Sequence, residues 1–244
     1  MNIALIGYGS MGKTIERIAL PRGHQISGKA DTPPEVAAAL KGADVAIDFS
    51  TAEAVLSHVE SCIAAGVPLV EGTTGWQGRR DEAKGLLEKA GSPIGFLWSP
   101  NFSIGVHMYL KIIAAAARLA DKAEEYDVWG TEIHHTGKID SPSGTAKAIE
   151  KILLDSITRK KTIVEDKLDR KREDSEIHFS SVRGGLVNFG HTIGFDSPSD
   201  RILITHEARN RDGYALGAVK AAEWLRDKKG FFSMDDYATD VFGA

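Results

Sequence analysis

The sequence predicts an α/β chain in two parts, a doubly wound parallel sheet followed by an α+β domain, and three features carry that expectation. Short β-branched runs alternate with helical patterns through the first hundred residues, a glycine-rich turn follows the first run, and the pattern changes after Asn101. Strands are expected over residues 2–6, 24–30, 43–49, 68–71 and 93–98, with helices between them. Such alternation implies parallel neighbours, because a parallel strand is reached only through a long crossover, and that crossover is right-handed. A long apolar helix is then expected over 103–119, an extended segment over 125–133 and another helix from near Ser143. Later runs at 176–182, 186–195 and 201–205, separated by Gly-Gly and Ser-Pro-Ser turn chemistry, predict an antiparallel sheet. The polar run 159–174 mixes charges of both signs and reads as a solvated connection. A last helix over 214–226 carries apolar residues at helical spacing and is expected to pack back on the first part.

With 244 residues, 42% hydrophobic and 26% charged, the chain can build one large core or two modest ones, which excludes disordered and collagen-like classes. Thirty basic against 34 acidic residues leave a net charge of -4, so no general field draws nucleic acid or an anionic membrane surface. An anionic ligand must therefore be held by local basic groups. The single cysteine, Cys62, supports neither an internal disulfide nor a four-cysteine zinc site, in keeping with a reducing, cytoplasmic setting. The apolar run at 2–6 stops at Gly7, far short of the roughly 20 residues a membrane span needs, so no signal peptide or transmembrane helix is expected.

Gly7-Tyr8-Gly9-Ser10-Met11-Gly12 lies between the first expected strand and the first expected helix, where a dinucleotide-binding turn belongs. Gly7 makes the tight turn, Gly9 lets backbone approach a pyrophosphate, Gly12 lets helix pack on strand, and the helix N-terminus favours phosphate charge. An ordinary glycine-rich turn is the alternative; the strand, the helix and the N-terminal position together favour the dinucleotide. Asp31 falls about 20 residues beyond the loop, where an acidic side chain accepts hydrogen bonds from the adenosine ribose of NAD. Its charge repels the 2′-phosphate of NADP, yet Lys29 is near enough to compensate, so NADH and NADPH both remain open. Gly72-Thr73-Thr74-Gly75 and Ser99-Pro100-Asn101-Phe102-Ser103 fall at the carboxyl ends of the fourth and fifth strands, the edge where open α/β sheets bind ligands. Their small residues, hydroxyls and amides can orient a nicotinamide carboxamide, and a purely structural turn fits the same chemistry.

The densest chemistry lies at residues 132–146, where Glu132, His134, His135, Lys138 and Asp140 precede Ser141-Pro142-Ser143-Gly144-Thr145-Ala146. Ser141 or Ser143 can cap a helix that Pro142 is suited to start, and the free N–H groups around Gly144 and Thr145 make an anion site fit for a small carboxylate. Adjacent histidines lack the i, i+4 spacing of a helical zinc pair and no cysteine supports them, so no metal is expected. As successive strand residues they face opposite sides and could merely end a strand; Lys138 and the Ser-Gly-Thr turn speak against that.

This segment resembles the central motif of the 4-hydroxy-tetrahydrodipicolinate reductases of the diaminopimelate route to lysine, Glu-x-His-His-x-x-Lys-x-Asp-(Ala/Ser)-Pro-Ser-Gly-Thr-Ala, at every specified position. The resemblance runs on through the glycine loop, Asp48-Phe49-Ser50, Gly72-Thr73-Thr74-Gly75, Asn101-Phe102-Ser103, Val182-Arg183, Gly190-His191-Thr192 and Ile204-Thr205-His206. It implies a Rossmann dinucleotide-binding domain formed by residues 1–101 and 211–244, a substrate-binding and tetramerisation domain formed by 102–210, and a homotetramer. The implied reaction converts 4-hydroxy-2,3,4,5-tetrahydrodipicolinate, with NADH or NADPH, to 2,3,4,5-tetrahydrodipicolinate and water. His134 would be proton donor or acceptor and Lys138 proton donor, with His135, Ser143, Gly144, Thr145 and Arg183 on the substrate carboxylates. Phe49 and Ser50 join the cofactor-binding set on the same basis. A different small dehydrogenase acting on an amino-acid imine, and a non-catalytic nucleotide sensor, are the competing readings; the His-His-x-x-Lys and Ser-Gly-Thr motif argues against both.

Overall fold

The computed structural model describes residues 1–243. By internal contacts the chain forms two units, Met1–Ile104 with Arg211–Ala244, and Gly105–Asn210.

The first unit runs β1 (Asn2–Ile6), α1 (Ser10–Ala19), β2 (Gln25–Ala30), α2 (Pro33–Ala39), β3 (Val45–Asp48), α3 (Val55–Ala65), β4 (Leu69–Glu71), α4 (Arg80–Lys89) and β5 (Gly95–Trp98). The second holds α5 (Ile104–Lys122), β6 (Asp127–His134), α6 (Gly144–Ser156), β7 (Thr162–Val164), β8 (Glu176–Arg183), β9 (Phe189–Asp196) and β10 (Arg201–Ala208). The chain then re-enters the first unit as α7 (Asp212–Leu225), β11 (Gly230–Ser233) and α8 (Met234–Phe242). Among the described residues no helix is long and apolar enough to cross a membrane.

Six strands in the order β11-β5-β4-β3-β1-β2 form one sheet, and every pairing in it is parallel. Successive strand residues point to opposite faces. Ala4, Ile6, Ala46, Leu69, Phe96 and Trp98 accordingly join one core with Val36, Val59 and Leu87 from α2, α3 and α4. Ile3, Leu5, Val45, Ile47, Val70 and Leu97 join the other, with Ile15 of α1, Val219 and Leu225 of α7, and Met234 and Tyr237 of α8. Each fully buried Leu or Ile contributes about 1.5–3 kcal/mol. Local chemistry sets the helix ends: Thr32 and Glu35 form a reciprocal capping box on α2, Ser233 and Asp236 do so on α8, and α3 stops at Gly66 with φ 68°. The segment after residue 226 is more than a tail, since β11 adds a parallel edge strand beside β5 and α8 covers the second core.

In the second unit the sheet order is β10-β9-β6-β8-β7. The expectation of an antiparallel sheet is corrected: β10, β9 and β6 pair antiparallel, whereas β8 joins β6, and β7 joins β8, in parallel. The cause is the long return through α6, which carries the chain back to the same end of the sheet. The polar run 159–174 is mostly exposed, as a solvated connection should be, but departs from one in part. It contains β7, and Lys160 within it is 4% exposed, donating to Asp127 Oδ1 at 2.6 Å and to the Asp174 and Glu176 carbonyls at 2.6 and 3.2 Å. Its charges pair mostly with neighbouring elements, Lys160 and Arg172 with Asp127 of β6 and Arg170 with Glu176 of β8. Helices α5 and α6 cover one sheet face through Ile113, Ala117, Ile149 and Leu153 packed on Val128, Phe179 and Ile193.

Candidate active site

Gly7 has φ +80°, and a Cβ there would lie 2.4 Å from the Phe49 carbonyl oxygen; a Cβ on Gly12 would lie 2.5 Å from the Gly7 carbonyl oxygen. Both positions are closed to any side chain. Gly9, the N-cap of α1, has nothing within 4 Å of its missing Cβ, and α1 has neither a side-chain cap nor an acidic residue in its first turn. That leaves its first N–H groups suited to an exogenous anion. An open cleft of about 210 Å³ lies over this turn, lined by Gly7, Gly9, Asp31, Phe49, Ser50 and His58 among others. Asp31 is anchored there by accepting the Tyr8 N–H at 2.6 Å. Ser10 is exposed and Met11 packs on the core beneath the loop.

The other sheet-edge residues are joined by short-range bonds. Ser50 N–H donates to Asp48 Oδ1 at 2.8 Å and Thr73 Oγ1 at 3.1 Å, and the Phe49 ring lies so close over Gly72 that a Cβ would sit 2.3 Å from it. Asn101 N–H donates to Ser99 Oγ at 3.1 Å, and Asn101 Oδ1 accepts the Ser103 N–H at 2.8 Å. Phe102 is buried with its ring 5.9 Å from that of Phe49, while Thr74 and Pro100 are exposed.

Beneath these loops lies a polar cluster that sequence reasoning did not assign. Asp48 and Glu71 are register partners at the ends of β3 and β4, both fully buried. Asp48 Oδ2 lies 2.7 Å from His58 Nδ1, and Glu71 Oε1 accepts the Thr73 N–H at 2.7 Å. Burial first, then the neighbouring Asp48, pushes the Glu71 carboxyl well above the usual carboxylate range. The available signal was a carboxylate closing two otherwise apolar strand runs.

In the second unit, β6 places Glu132 and His134 on one face, two residues apart, and both are buried. Glu132 Oε1 accepts from Ser181 Oγ at 2.8 Å, Arg183 Nη2 at 2.9 Å and the Ser143 N–H at 3.1 Å. Its Oε2 lies 3.2 Å from His134 Nε2 and 3.3 Å from His191 Nε2. Burial acts to raise the Glu132 carboxyl, and the hydrogen bonds from His191, Ser143, Arg183 and Ser181 overcome it, holding the group well below the usual carboxylate range. Burial pushes the His134 imidazole below the usual histidine range, with Glu132 opposing and His191, Arg183 and Lys138 reinforcing. The His134 ring stacks on Phe189, centroids 5.8 Å apart.

Of the two candidate caps of α6, Ser143 is the one used: its Oγ accepts the Ala146 N–H at 3.2 Å and lies 3.2 Å from His191 Nε2. Pro142 precedes the cap instead of opening the helix, because Ser143 takes the extended N-cap conformation and the helix starts at Gly144. Gly144 is exposed with open space at its missing Cβ, Thr145 is half-buried, and the first turn has no acidic residue. Lys138 Nζ donates to Asp140 Oδ1 at 2.5 Å, and His135 is half-buried just past the end of β6. The Arg183 guanidinium, expected on a substrate carboxylate, donates to Glu132 and to the Asp140 and Val182 carbonyls. Glu132 and His191 are the residues sequence reasoning left without a role here, although both stand in the motifs quoted above. Together with His134 they place ligand atoms within 4.8 Å of one another; the adjacent Arg183 and Lys138 add positive charge that opposes a dication there.

Comparison with known proteins agrees with these features. Residues 1–102 match the family described as "Dihydrodipicolinate reductase, N-terminus" and residues 105–237 that described as "Dihydrodipicolinate reductase, C-terminus". The chain is 41% identical over 243 residues to the 4-hydroxy-tetrahydrodipicolinate reductase of Christiangramia forsetii, covering 99% of both chains. It is 36% identical over 248 residues to that of Staphylococcus aureus, covering 97% of this chain and 100% of the relative. The solved structure of dipicolinate-bound dihydrodipicolinate reductase from Paenisporosarcina sp. TG-14 shares the fold with a TM-score of 0.75 at 21% identity, over 96% of this chain and 97% of that one. Matched at both ends and along nearly its full length, the chain belongs to the dihydrodipicolinate reductase family.

Proposed function

We propose that this protein reduces 4-hydroxy-2,3,4,5-tetrahydrodipicolinate to 2,3,4,5-tetrahydrodipicolinate and water with NADH or NADPH, in the diaminopimelate route to lysine. The observation that carries the reading is the buried Glu132, which gathers His134, His191, Arg183 and the N-cap of α6 at one point of a chain whose full-length relatives bear this name.

The nicotinamide, when bound, supplies the hydride. The net reaction consumes that hydride and one proton and releases the hydroxyl as water. Gly144 and Thr145 N–H groups and His135 hold the substrate carboxylates, since helix N-termini favour anions. Lys138 donates the proton. His134, neutral because burial disfavours its charge, accepts or donates a proton at a ring nitrogen, and Ser143 and Arg183 keep the anion site in place. In the first unit the open N-terminus of α1 receives the pyrophosphate, Asp31 the adenosine ribose, and the loops at Phe49-Ser50, Gly72-Thr73-Thr74 and Ser99-Pro100-Asn101-Phe102 the nicotinamide half. NADH is accepted at least as well as NADPH on account of Asp31, and no metal takes part. The protein is cytoplasmic and a homotetramer, with copies packing on the sheet face that carries the exposed Ile133, Val182 and Leu203.

The test is loss of NADH or NADPH absorbance when purified protein meets the condensation product of pyruvate and aspartate semialdehyde, freshly made by the synthase. Oxidation that requires that product is the expected result. Folded protein that binds NADH and oxidises neither cofactor overturns the reading.

A further inference from the structure

Three charged groups converge on one residue of the glycine loop. Tyr8 donates its backbone N–H to Asp31 Oδ1 at 2.6 Å, and its hydroxyl donates to Glu16 of α1. Lys29 of β2 reaches the same hydroxyl at 2.9 Å, lies 2.8 Å from Glu16 Oε2, and stands over the Tyr8 ring, 4.2 Å from its centroid. Lys13 lies farther off, 5.9 Å from that centroid. Lys29 is the cation nearest in sequence to Asp31, and it is already engaged by a carboxylate and by an aromatic face.

Charge decides what this means for a dinucleotide. A 2′-phosphate carries about -1.5 to -2 at neutral pH, so Asp31 repels it and a free lysine beside Asp31 would attract it. A lysine held 2.8 Å from a carboxylate presents a dipole in place of a net charge, and its attraction falls steeply with distance. The hydrogen bonds from Lys29 and Tyr8 lower the Glu16 carboxyl below its usual range, and the bond to Glu16 raises Lys29, so both partners remain charged.

We propose that Glu16 is a specificity-determining residue for the cofactor: by engaging Lys29 against Tyr8 it withholds that cation from a 2′-phosphate and leaves Asp31 as the governing charge beside the adenosine ribose. The inference rests on the dinucleotide reading of this unit given above and deepens it, since it names the side chain that sets NADH against NADPH. Asp31 alone would repel the phosphate; Glu16 removes the compensation.

The experiment is titration of the intact protein with NADH and with NADPH, followed by nicotinamide fluorescence. In Glu16→Gln the amide keeps the hydrogen bonds and loses the charge, and a half-buried pair at the edge of solvent holds little stability, so the variant folds. NADPH is expected to bind about threefold to tenfold more tightly while NADH is unchanged. That gain disappears in Glu16→Gln/Lys29→Met, and it shrinks as salt rises, because the lysine, no longer neutralised, acts through a screened charge. An unchanged ratio of the two dissociation constants, an equal shift in both, or a gain that survives loss of Lys29 overturns the proposal while leaving dinucleotide binding intact. Wild-type protein that binds neither cofactor overturns the dinucleotide reading and the proposal together.

Discussion

Glu132 Oε2 lies 3.2 Å from His134 Nε2, two residues along the same face of β6 and with both side chains buried. The carboxylate favours the charged imidazole, whereas burial, His191, Arg183 and Lys138 all push it toward neutrality. Glu132→Gln is therefore expected to lower the His134 pKa further and to move the limb of the kcat/KM profile that reports His134 to lower pH. Glutamine also weakens the charge-assisted hydrogen bond from Arg183, and a loss of about 1.5–3 kcal/mol slows turnover by about tenfold to a hundredfold. A slower enzyme with an unmoved pH profile would show that Glu132 shapes the site without tuning His134.

His134→Ala and Lys138→Ala separate chemistry from cofactor binding. Each removes a proton-transfer group and is expected to slow turnover by about 10²–10⁴-fold. NADH binding, measured by fluorescence titration, stays within about threefold of wild type, because neither residue is in the unit that holds the glycine loop. Normal turnover in both variants would refute the roles given to them.

Glu71 provides a stability prediction with a definite sign. Its folded-state pKa lies above the ordinary 4.5, so its contribution is fully present below that value and is lost as pH rises toward the folded pKa. Glu71→Gln keeps an oxygen for the Thr73 N–H and has nothing to ionise. The melting temperature of the variant relative to wild type should therefore rise between pH 5 and pH 8. A difference that is flat or falls over that range would show Glu71 to be ionised in the folded protein.

Acid acts on the second unit in the opposite sense. Glu132 and His134 both have depressed pKa values in the folded state, so the unfolded chain binds protons more readily and stability falls as pH drops through 6.5 and then through 4.5. Substituting Gln at 132 removes the lower of these two losses, so chemical denaturation of Glu132→Gln should depend less on pH below 4.5 than that of wild type.

Gly217 marks where α7 meets the chain after β5. A Cβ there would lie 1.6 Å from the Phe102 carbonyl oxygen, which is backbone and cannot turn aside. Gly217→Ala is expected to destabilise the protein by about 3 kcal/mol or more, read as a lower denaturation midpoint, with cofactor affinity falling too because Phe102 packs on Phe49.

Local pattern determined a good deal of this protein. Alternating strand and helix periods imposed a parallel sheet, the spacing of Gly7, Gly9 and Gly12 matched a turn whose backbone leaves no room for a Cβ at two of the three, and residues 132–146 brought His134, Lys138 and the start of α6 together because they are neighbours in the chain. Periodicity says which face of a strand is apolar and is silent about which strand lies beside it. Tertiary structure alone decided that β8 pairs with β6 in parallel and that β7 lies within the polar run. It alone brought Ser181, Arg183 and His191 to Glu132, joined Asp48 to Glu71 across neighbouring strands, and set Glu16 against Lys29. Each of these joins groups distant in sequence, and a contact of that kind follows from the packing of whole elements, which no short stretch of residues encodes.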